Sequence, residues 1–174
     1  MLPGQSKGHD MDILTFLENS WPARLAQDSL WGFPILEICH LSGLTIVFGG
    51  MVMLDLRLMG LRRNWSAIRI QKWILPYVFG GFAIAFLSGF YLFIYQANKL
   101  ANDDAFLVKM LLLLPLAGLN ALFMHVVAQK NMEQWDRDVA PPFMVRASAF
   151  LSLCLWLSIL AAGRLIAYYY PYDF

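Results

Sequence analysis

Four long apolar stretches constrain this chain more than any other feature of its sequence. They lie at about 31–54, 73–95, 106–128 and 147–170. Each is long enough to cross a hydrocarbon core of about 30 Å as a helix, which takes roughly 20 residues. Lipid offers no partner to backbone N–H and C=O groups, so such stretches form helices that satisfy their own hydrogen bonds. We therefore predict an all-α integral membrane four-helix bundle.

The composition agrees with a membrane protein and argues against a soluble domain and against a nucleic-acid-binding protein. The 174 residues are 59% hydrophobic and only 14% charged, whereas a soluble domain carries about 25% charged residues. The net charge is +1, and no basic stripe exists that could neutralise phosphates, so nucleic-acid binding is excluded. Cys39 and Cys154 both fall in apolar stretches, where we expect free thiols that act as small hydrophobic side chains.

The segment before the first stretch has a different character. Residues 1–10 are polar and are expected to form a loose tail. In residues 11–30 the apolar side chains recur at helix-like spacing, with an interruption at Pro22. This pattern predicts one or two short amphipathic helices at the bilayer surface. The chain thus divides into an N-terminal tail and amphipathic segment, 1–30, and a four-helix membrane domain, 31–174.

The distribution of basic residues predicts the orientation in the membrane. The loop 55–72 has five Lys or Arg and the loop 129–146 has three, whereas the opposite side has Lys7, Arg24 and Lys99. Cytoplasmic loops carry the excess of basic residues, so both termini are predicted to be periplasmic in a bacterial inner membrane. The aromatic C-terminal end, AYYYPYDF, is typical of a segment at headgroup level.

The first stretch contains two ionisable residues, Glu37 and His40. Their i,i+3 spacing places them on one helix face. Ionisable residues in membrane helices usually face the bundle interior or a cavity and have partners there. Gly43, one turn past His40, removes side-chain bulk where a flat group could lie. Two interpretations follow: His40 is a structural residue bonded to Glu37 or to a neighbouring helix, or it ligates a cofactor.

The other stretches add small and polar residues. In the second, Gly81, Ala85 and Gly89 recur every four residues, which favours close approach of another helix. The third carries Lys109 and Asn120, eleven residues apart and therefore on one face, and we count both among the candidate cofactor-binding residues.

The fourth stretch carries Arg164. By helical rise, this residue, Glu37, His40 and Lys109 all lie within roughly 15 Å of the outer face. His125 lies about 15 Å or more deeper than His40, so one haem held axially by both histidines is not expected.

The residue types favour haem over other metal sites. A di-iron bundle needs two Glu-x-x-His motifs and further glutamates, but the stretches contain a single copy. The nine Met are scattered over different faces and depths, so no copper site is expected. A b-type haem could take His40 as its axial ligand, with Glu37 orienting the imidazole and with Lys109 and Arg164 pairing with the propionates. The alternative is that Glu37 neutralises one of those two cations and that no cofactor is present.

The motifs resemble a known group of proteins. His40 followed by FGGMVMLDLRLMG, the stretch QKWILPYVFGGFAIAFLSGFYLF and the stretch FLVKMLLLLPLAGLN resemble HemJ-type protoporphyrinogen oxidases and CopD-like membrane proteins. Most closely, the chain resembles a bacterial family of four-span membrane proteins with the motifs W-x-x-P-x-x-E-x-x-H, D-L-R-x-x-G and G-R. These motifs correspond here to Trp31, Pro34, Glu37 and His40, then to residues 55–60, then to Gly163 and Arg164.

The resemblance implies a haem b on His40, with Lys109 at the position of the functional lysine of the HemJ group. The HemJ group has a histidine near the position of Asn120, and this chain does not. We therefore expect a haem protein that moves electrons between quinone, or a protein partner, and periplasmic redox proteins. HemJ-like porphyrinogen oxidation is a specific variant. A cofactor-free accessory or assembly subunit of a larger membrane complex is the alternative.

Overall fold

The computed structural model describes residues 13–128, 132–136 and 140–169. Within them, four helices are long and apolar enough to cross a membrane, and no strand is found. We call them span 1 to span 4; they cover Gly32–Leu58, Ala67–Tyr95, Asp104–Val127 and Phe143–Tyr169. The predicted all-α four-helix membrane fold is confirmed, and the chain is a multi-pass membrane protein. The predicted tail 1–10 and the aromatic residues 170–174 lie outside the described residues.

Consecutive spans run in opposite directions, so the bundle has two distinct ends. The upper end holds the start of spans 1 and 3 and the end of spans 2 and 4. The lower end holds the connection 59–66 and a short helix, Met132–Trp135. There Met132 and Trp135 pack into a buried cluster with the ends of spans 1, 2 and 4, which closes the bundle.

Span 1 extends four residues beyond the apolar stretch that predicts it. Asp55 and Arg57 lie in this last turn, and both are 2% exposed. The guanidinium of Arg57 donates to the carbonyl oxygens of Trp65, at 2.7 Å, and of Asp136. Arg57 continues this helix because its guanidinium finds partners in the loops, which a hydropathy pattern does not register.

Span 2 begins at Ala67, earlier than the apolar stretch does, because its first turn is capped. The hydroxyl of Ser66 accepts from the backbone N–H of Arg69 at 3.1 Å. The carboxylate of Asp136 accepts from the N–H of Ile68 at 3.0 Å and from the Ser66 hydroxyl at 2.7 Å. These oxygens satisfy N–H groups that have no partner within the helix.

Span 3 is irregular. Two π-helical segments, Lys109–Leu113 and Met124–Ala128, flank a regular α-helical segment, Leu114–Phe123. Pro115 lies in the first turn of that regular segment. Proline has no N–H to donate and its ring crowds the preceding turn, so a widened π turn relieves both problems.

The spans pack in the order 2, 1, 4, 3. Span 1 packs along span 2 and against span 4, and span 4 packs against span 3. Direct contact between spans 2 and 3 is slight. At the upper end the rings of Phe93 and Phe106 bridge these two spans, stacked with centroids 5.5 Å apart.

The predicted small-residue stripe of span 2 is the surface on which span 1 packs. A Cβ at Gly81 would lie 2.9 Å from the carbonyl oxygen of Gly43. A Cβ at Gly43 would lie 2.7 Å from the backbone nitrogen of Ala85. The expectation that Gly43 leaves room for a flat ligand is therefore wrong, because the backbone of span 2 fills that space.

The N-terminal segment forms two short helices, Ile13–Glu18 and Trp21–Gln27. The break precedes Pro22, which lies in the first turn of the second helix, where its missing N–H costs nothing. The Glu18 carboxylate accepts from the N–H and the side-chain amide of Asn98, at 2.8 and 2.7 Å. These bonds anchor the segment on a short helix after span 2, Ala97–Ala101. Its outer apolar side chains are exposed: Ile13, Phe16, Trp21 and Leu25.

Candidate functional site

A cavity of about 280 Å³ opens at the upper end of the bundle, and all four spans line it. We call it the polar cavity. Its polar side chains are Glu37, His40, Gln96, Lys99, Lys109 and Arg164. Four of the five residues predicted for a cofactor site, all except Asn120, are thus brought together from spans 1, 3 and 4.

The imidazole of His40 is held by span 2. Its Nδ1 lies 2.8 Å from the carbonyl oxygen of Ala85. A carbonyl oxygen can only accept, so Nδ1 carries the proton and donates it. The Ser88 hydroxyl, 3.5 Å from Nδ1, donates its own proton to the carbonyl of Ile84. Nε2 of the neutral ring is therefore the nitrogen with a free lone pair.

The missing side chain of Gly89 allows this position of the ring. A Cβ at Gly89 would lie 2.8 Å from Cε1 of His40 and 3.1 Å from Nδ1. Gly89 is also the residue four positions after Ala85, whose carbonyl the imidazole reaches. The upper part of the small-residue stripe therefore serves the histidine, whereas its lower part serves helix packing.

Glu37 does not hold the histidine. It lines the polar cavity, but the hydrogen-bond partner of Nδ1 is the backbone of span 2. The structural interpretation of His40 expected a bond to Glu37 or to a neighbouring helix, and the second of these is found. No described residue hydrogen-bonds to Nε2. A purely structural role of His40 does not explain this nitrogen, which remains able to bind a ligand.

Lys109 lies where span 3 approaches span 4. A Cβ at Gly163 would lie 3.5 Å from Nζ of Lys109, so the glycine leaves room for the ammonium. The ammonium is also near enough to His40 for an electrostatic interaction. Arg164 follows Gly163 directly and is exposed at the rim. In the G-R motif, Gly163 thus leaves room for the Lys109 ammonium at the cavity, and Arg164 lines the cavity itself.

Glu37 does not neutralise Lys109 or Arg164 in the polar cavity. Within the described parts of the chain, no ion pair of 4.0 Å or less joins Glu37 to Lys109 or to Arg164. The cations Lys109 and Arg164 line this cavity together with the carboxylate of Glu37. A buried or half-buried ammonium without a counter-charge is costly, so the cavity favours an anionic ligand.

Asn120 and His125 lie away from this cavity. Asn120 faces span 4, as Lys109 does, but it bonds to Ser148: Nδ2 donates to the carbonyl at 3.1 Å, and Oδ1 accepts from the hydroxyl at 2.6 Å. His125 is exposed in the second π-helical segment, sixteen residues or roughly 24 Å of helix from Lys109. Neither residue lines the polar cavity.

A second cavity, of about 360 Å³, lies beside the first, and we call it the apolar cavity. His40, Gly89 and Lys109 line both cavities. Its remaining walls are aromatic and aliphatic, with four phenylalanines of span 2 on one side and leucines and Met110 of span 3 on the other. Both volumes are near the lower end of the usual range for ligand sites, about 300–1,000 Å³.

Sequence reasoning missed three contributors to the site. The carbonyl of Ala85 carries no side-chain signal, and Gln96 and Lys99 belong to the turn and the short helix after span 2, whose position over the bundle depends on tertiary structure. The aromatic side chains of span 2 follow helical spacing, which indicates a packed face equally well.

The donor set suits a haem better than a bare metal ion. In the described residues, no group of three or more His, Cys, Asp or Glu side chains could hold a metal. A haem needs fewer protein ligands, because the porphyrin supplies its own nitrogens and the protein adds an axial ligand. His40 offers Nε2, the cations match carboxylates, and the remaining walls are apolar. No known protein family, curated protein or solved structure matches this chain.

Proposed function

We propose that this protein is a b-type haem protein of the bacterial inner membrane that transfers electrons between quinone, or a membrane partner, and periplasmic redox proteins. The observation that carries the proposal is the hydrogen bond from Nδ1 of His40 to the carbonyl of Ala85. Metal-ligating histidines usually donate their other ring N–H to a backbone carbonyl or carboxylate, which fixes the tautomer and the ring orientation.

The other residues of the polar cavity have roles consistent with this assignment. His40 would hold the haem iron, and Gly89 leaves room for its imidazole against span 2. Lys109 and Arg164 pair with propionates, which relieves their missing counter-charge. Glu37 lines the same cavity one helical turn nearer the upper end than His40. When bound, haem supplies reversible one-electron transfer.

The orientation of the site is part of the proposal. The excess of Lys and Arg in the loops 55–72 and 129–146 supports a cytoplasmic position for the lower end. The polar cavity then opens toward the periplasm, and the exposed apolar side chains of the two N-terminal helices lie at that interface. A periplasmic redox protein would approach the haem edge from this side.

The alternative, a cofactor-free accessory subunit, has less support. It would use Glu37, Lys109 and Arg164 as internal charge pairs, but the described residues lack such a pair within 4.0 Å.

Visible absorption spectra of the purified protein, oxidised and dithionite-reduced, test the proposal. The wild type is expected to give the bands of a b-type haem. His40→Ala should abolish them while the protein stays inserted and helical. His125→Ala is the matched control and should keep them, because its side chain lies outside the cavity. A wild-type protein without haem bands, or bands that survive His40→Ala, would overturn the assignment.

A further inference from the structure

The apolar cavity adjoins the polar cavity, but most of its lining residues belong to it alone. Its upper boundary is the Phe93–Phe106 stack, and its floor includes Val47 and Trp156. Phe86 and Phe90 of span 2 face the aliphatic side chains of span 3 across it. His40 and Lys109 provide the polar groups at its boundary with the polar cavity.

The mouth of this cavity lies between spans 2 and 3. These spans touch little, and side chains on both sides of the gap are exposed, Phe86 at 63% and Leu111 at 74%. Phe86 is nine residues, roughly 14 Å, from the upper end of span 2 at Tyr95. At that depth the mouth faces acyl chains and not water. A ligand that uses this mouth is therefore dissolved in the bilayer.

The walls and the polar boundary indicate the chemistry of that ligand. Aromatic walls suit a flat ring, which can stack on them or meet their edges. The Lys109 ammonium has three donors and no acceptor, so pairing with a propionate on one side leaves donors for an oxygen on the other. The ligand therefore combines a flat ring, an acceptor oxygen on that ring and enough apolar surface to dissolve in lipid.

We propose that the apolar cavity binds the ring of an isoprenoid quinone, which reaches it sideways through the gap between spans 2 and 3, with a ring carbonyl accepting a hydrogen bond from Lys109. The choice of a quinone among flat lipid-soluble molecules rests on the proposed function, since an electron carrier beside the haem site would serve it. The proposal concerns binding and the route of access.

Photoaffinity labelling of the full-length protein in phosphatidylcholine vesicles tests the proposal, with a short-chain azido-ubiquinone as the probe. Labelling is expected in residues 82–93 or 107–114 and should be displaced by unlabelled decylubiquinone. Met110→Trp places a large side chain in the cavity and should reduce labelling about tenfold, a loss of about 1.4 kcal/mol of binding free energy. Met110→Leu, a change of similar volume, should retain it.

Leu112→Trp is the matched control. It adds the same side chain two residues away, at an exposed position that does not line the cavity, and should label like the wild type. Labelling elsewhere, labelling that Met110→Trp leaves unchanged, or displacement by oleate as strong as by decylubiquinone would overturn the proposal. The last result would identify a general site for acyl chains.

Spectra of the same samples keep this inference apart from the proposed function. Haem bands without displaceable labelling overturn quinone binding and leave the haem assignment in place. Displaceable labelling in a protein without haem bands overturns the haem assignment, and the quinone site stands by itself.

Discussion

Nδ1 of His40 in span 1 donates a hydrogen bond of 2.8 Å to the carbonyl oxygen of Ala85 in span 2. This single bond ties the two most closely packed spans together at the site and selects the ring tautomer. It depends on Gly89, because a side chain there would occupy the place of the imidazole. Helix packing and the chemistry of the histidine are therefore set by the same stripe of small residues.

Gly89→Ala tests this dependence. The new Cβ would lie 2.8 Å from Cε1 of His40, so the ring must move away from Ala85. Overpacking of this kind costs about 1–3 kcal/mol, and we expect haem affinity to fall about tenfold or more. The rate and extent of haem transfer to an apo-globin scavenger measure this change in haem affinity. Gly80→Ala is the control, because a Cβ there meets nothing within 4 Å. Equal affinity in both variants would contradict the role of Gly89.

Lys109→Met and Arg164→Met test the pairing of the two cations with propionates. Removal of a positive charge near haem disfavours the reduced form, so the midpoint potential should fall, by about 60 mV for a tenfold effect on a one-electron couple. Redox titration followed by the haem bands measures the shift. Lys72→Met removes a cation at the lower end and should leave the potential unchanged. A potential that responds to Lys72 but not to Lys109 would argue against this arrangement.

Gly43→Ala should destabilise the contact between spans 1 and 2. Its Cβ would meet backbone atoms of Gly81 and Ala85 at 2.7 Å, and backbone cannot rotate away. The expected cost is about 1–3 kcal/mol. Gly49→Ala, where nothing lies within 4 Å, is the matched control and should be neutral or slightly stabilising. Unfolding midpoints in detergent compare the two, and equal midpoints would refute the close contact.

Asp136 gives the lower end a pH dependence. Partial burial raises the pKa of its carboxyl, but hydrogen bonds from the Ile68 N–H and the Ser66 hydroxyl and the charge of Arg57 outweigh this effect and lower the pKa below 3.8. A carboxyl with a lowered pKa in the folded state contributes stability that is fully present above its unfolded pKa. That stability is lost as the pH falls through the folded pKa.

Asp136→Asn keeps an oxygen that can accept from the Ile68 N–H but loses the negative charge, so it should cost up to about 1 kcal/mol at pH near 7, and the difference from wild type should shrink in acid. Denaturant unfolding in detergent, once at pH near 7 and once in acid, measures this difference in the free energy of unfolding. Glu133→Gln, an exposed change in the adjacent short helix, is the control. A difference that grows as the pH falls would have the wrong sign for this assignment.

The predicted orientation is tested with fusions after Phe174. If the loops 55–72 and 129–146 are cytoplasmic, alkaline phosphatase at this position is active and a fluorescent protein that matures only in the cytoplasm is dark. The same reporters placed after Asn64 should give the opposite result. Cytoplasmic activity of the fusion after Phe174 would move the polar cavity to the other side of the membrane.

The fold class could be read from the sequence because lipid leaves little choice. Four apolar stretches of sufficient length must form helices, and the described structure has helices at all four. The depth of Glu37, His40, Lys109 and Arg164 also follows from counting residues along straight helices, and these four side chains line one cavity. The residue pattern thus determined the spans and the level of the candidate site.

Only the tertiary structure decided which partners those side chains have. The sequence puts Glu37 and His40 on one face and leaves open a bond from His40 to Glu37 or to a neighbouring helix, and the structure shows the bond to the backbone of span 2. The sequence also predicts that Gly43 leaves room for a flat ligand, but the backbone of span 2 fills that space. It places Asn120 with Lys109, but Asn120 bonds to Ser148 at another depth. Spacing fixes the direction of a side chain on its own helix, whereas backbone carbonyls, π turns and the order of helices depend on how the spans pack.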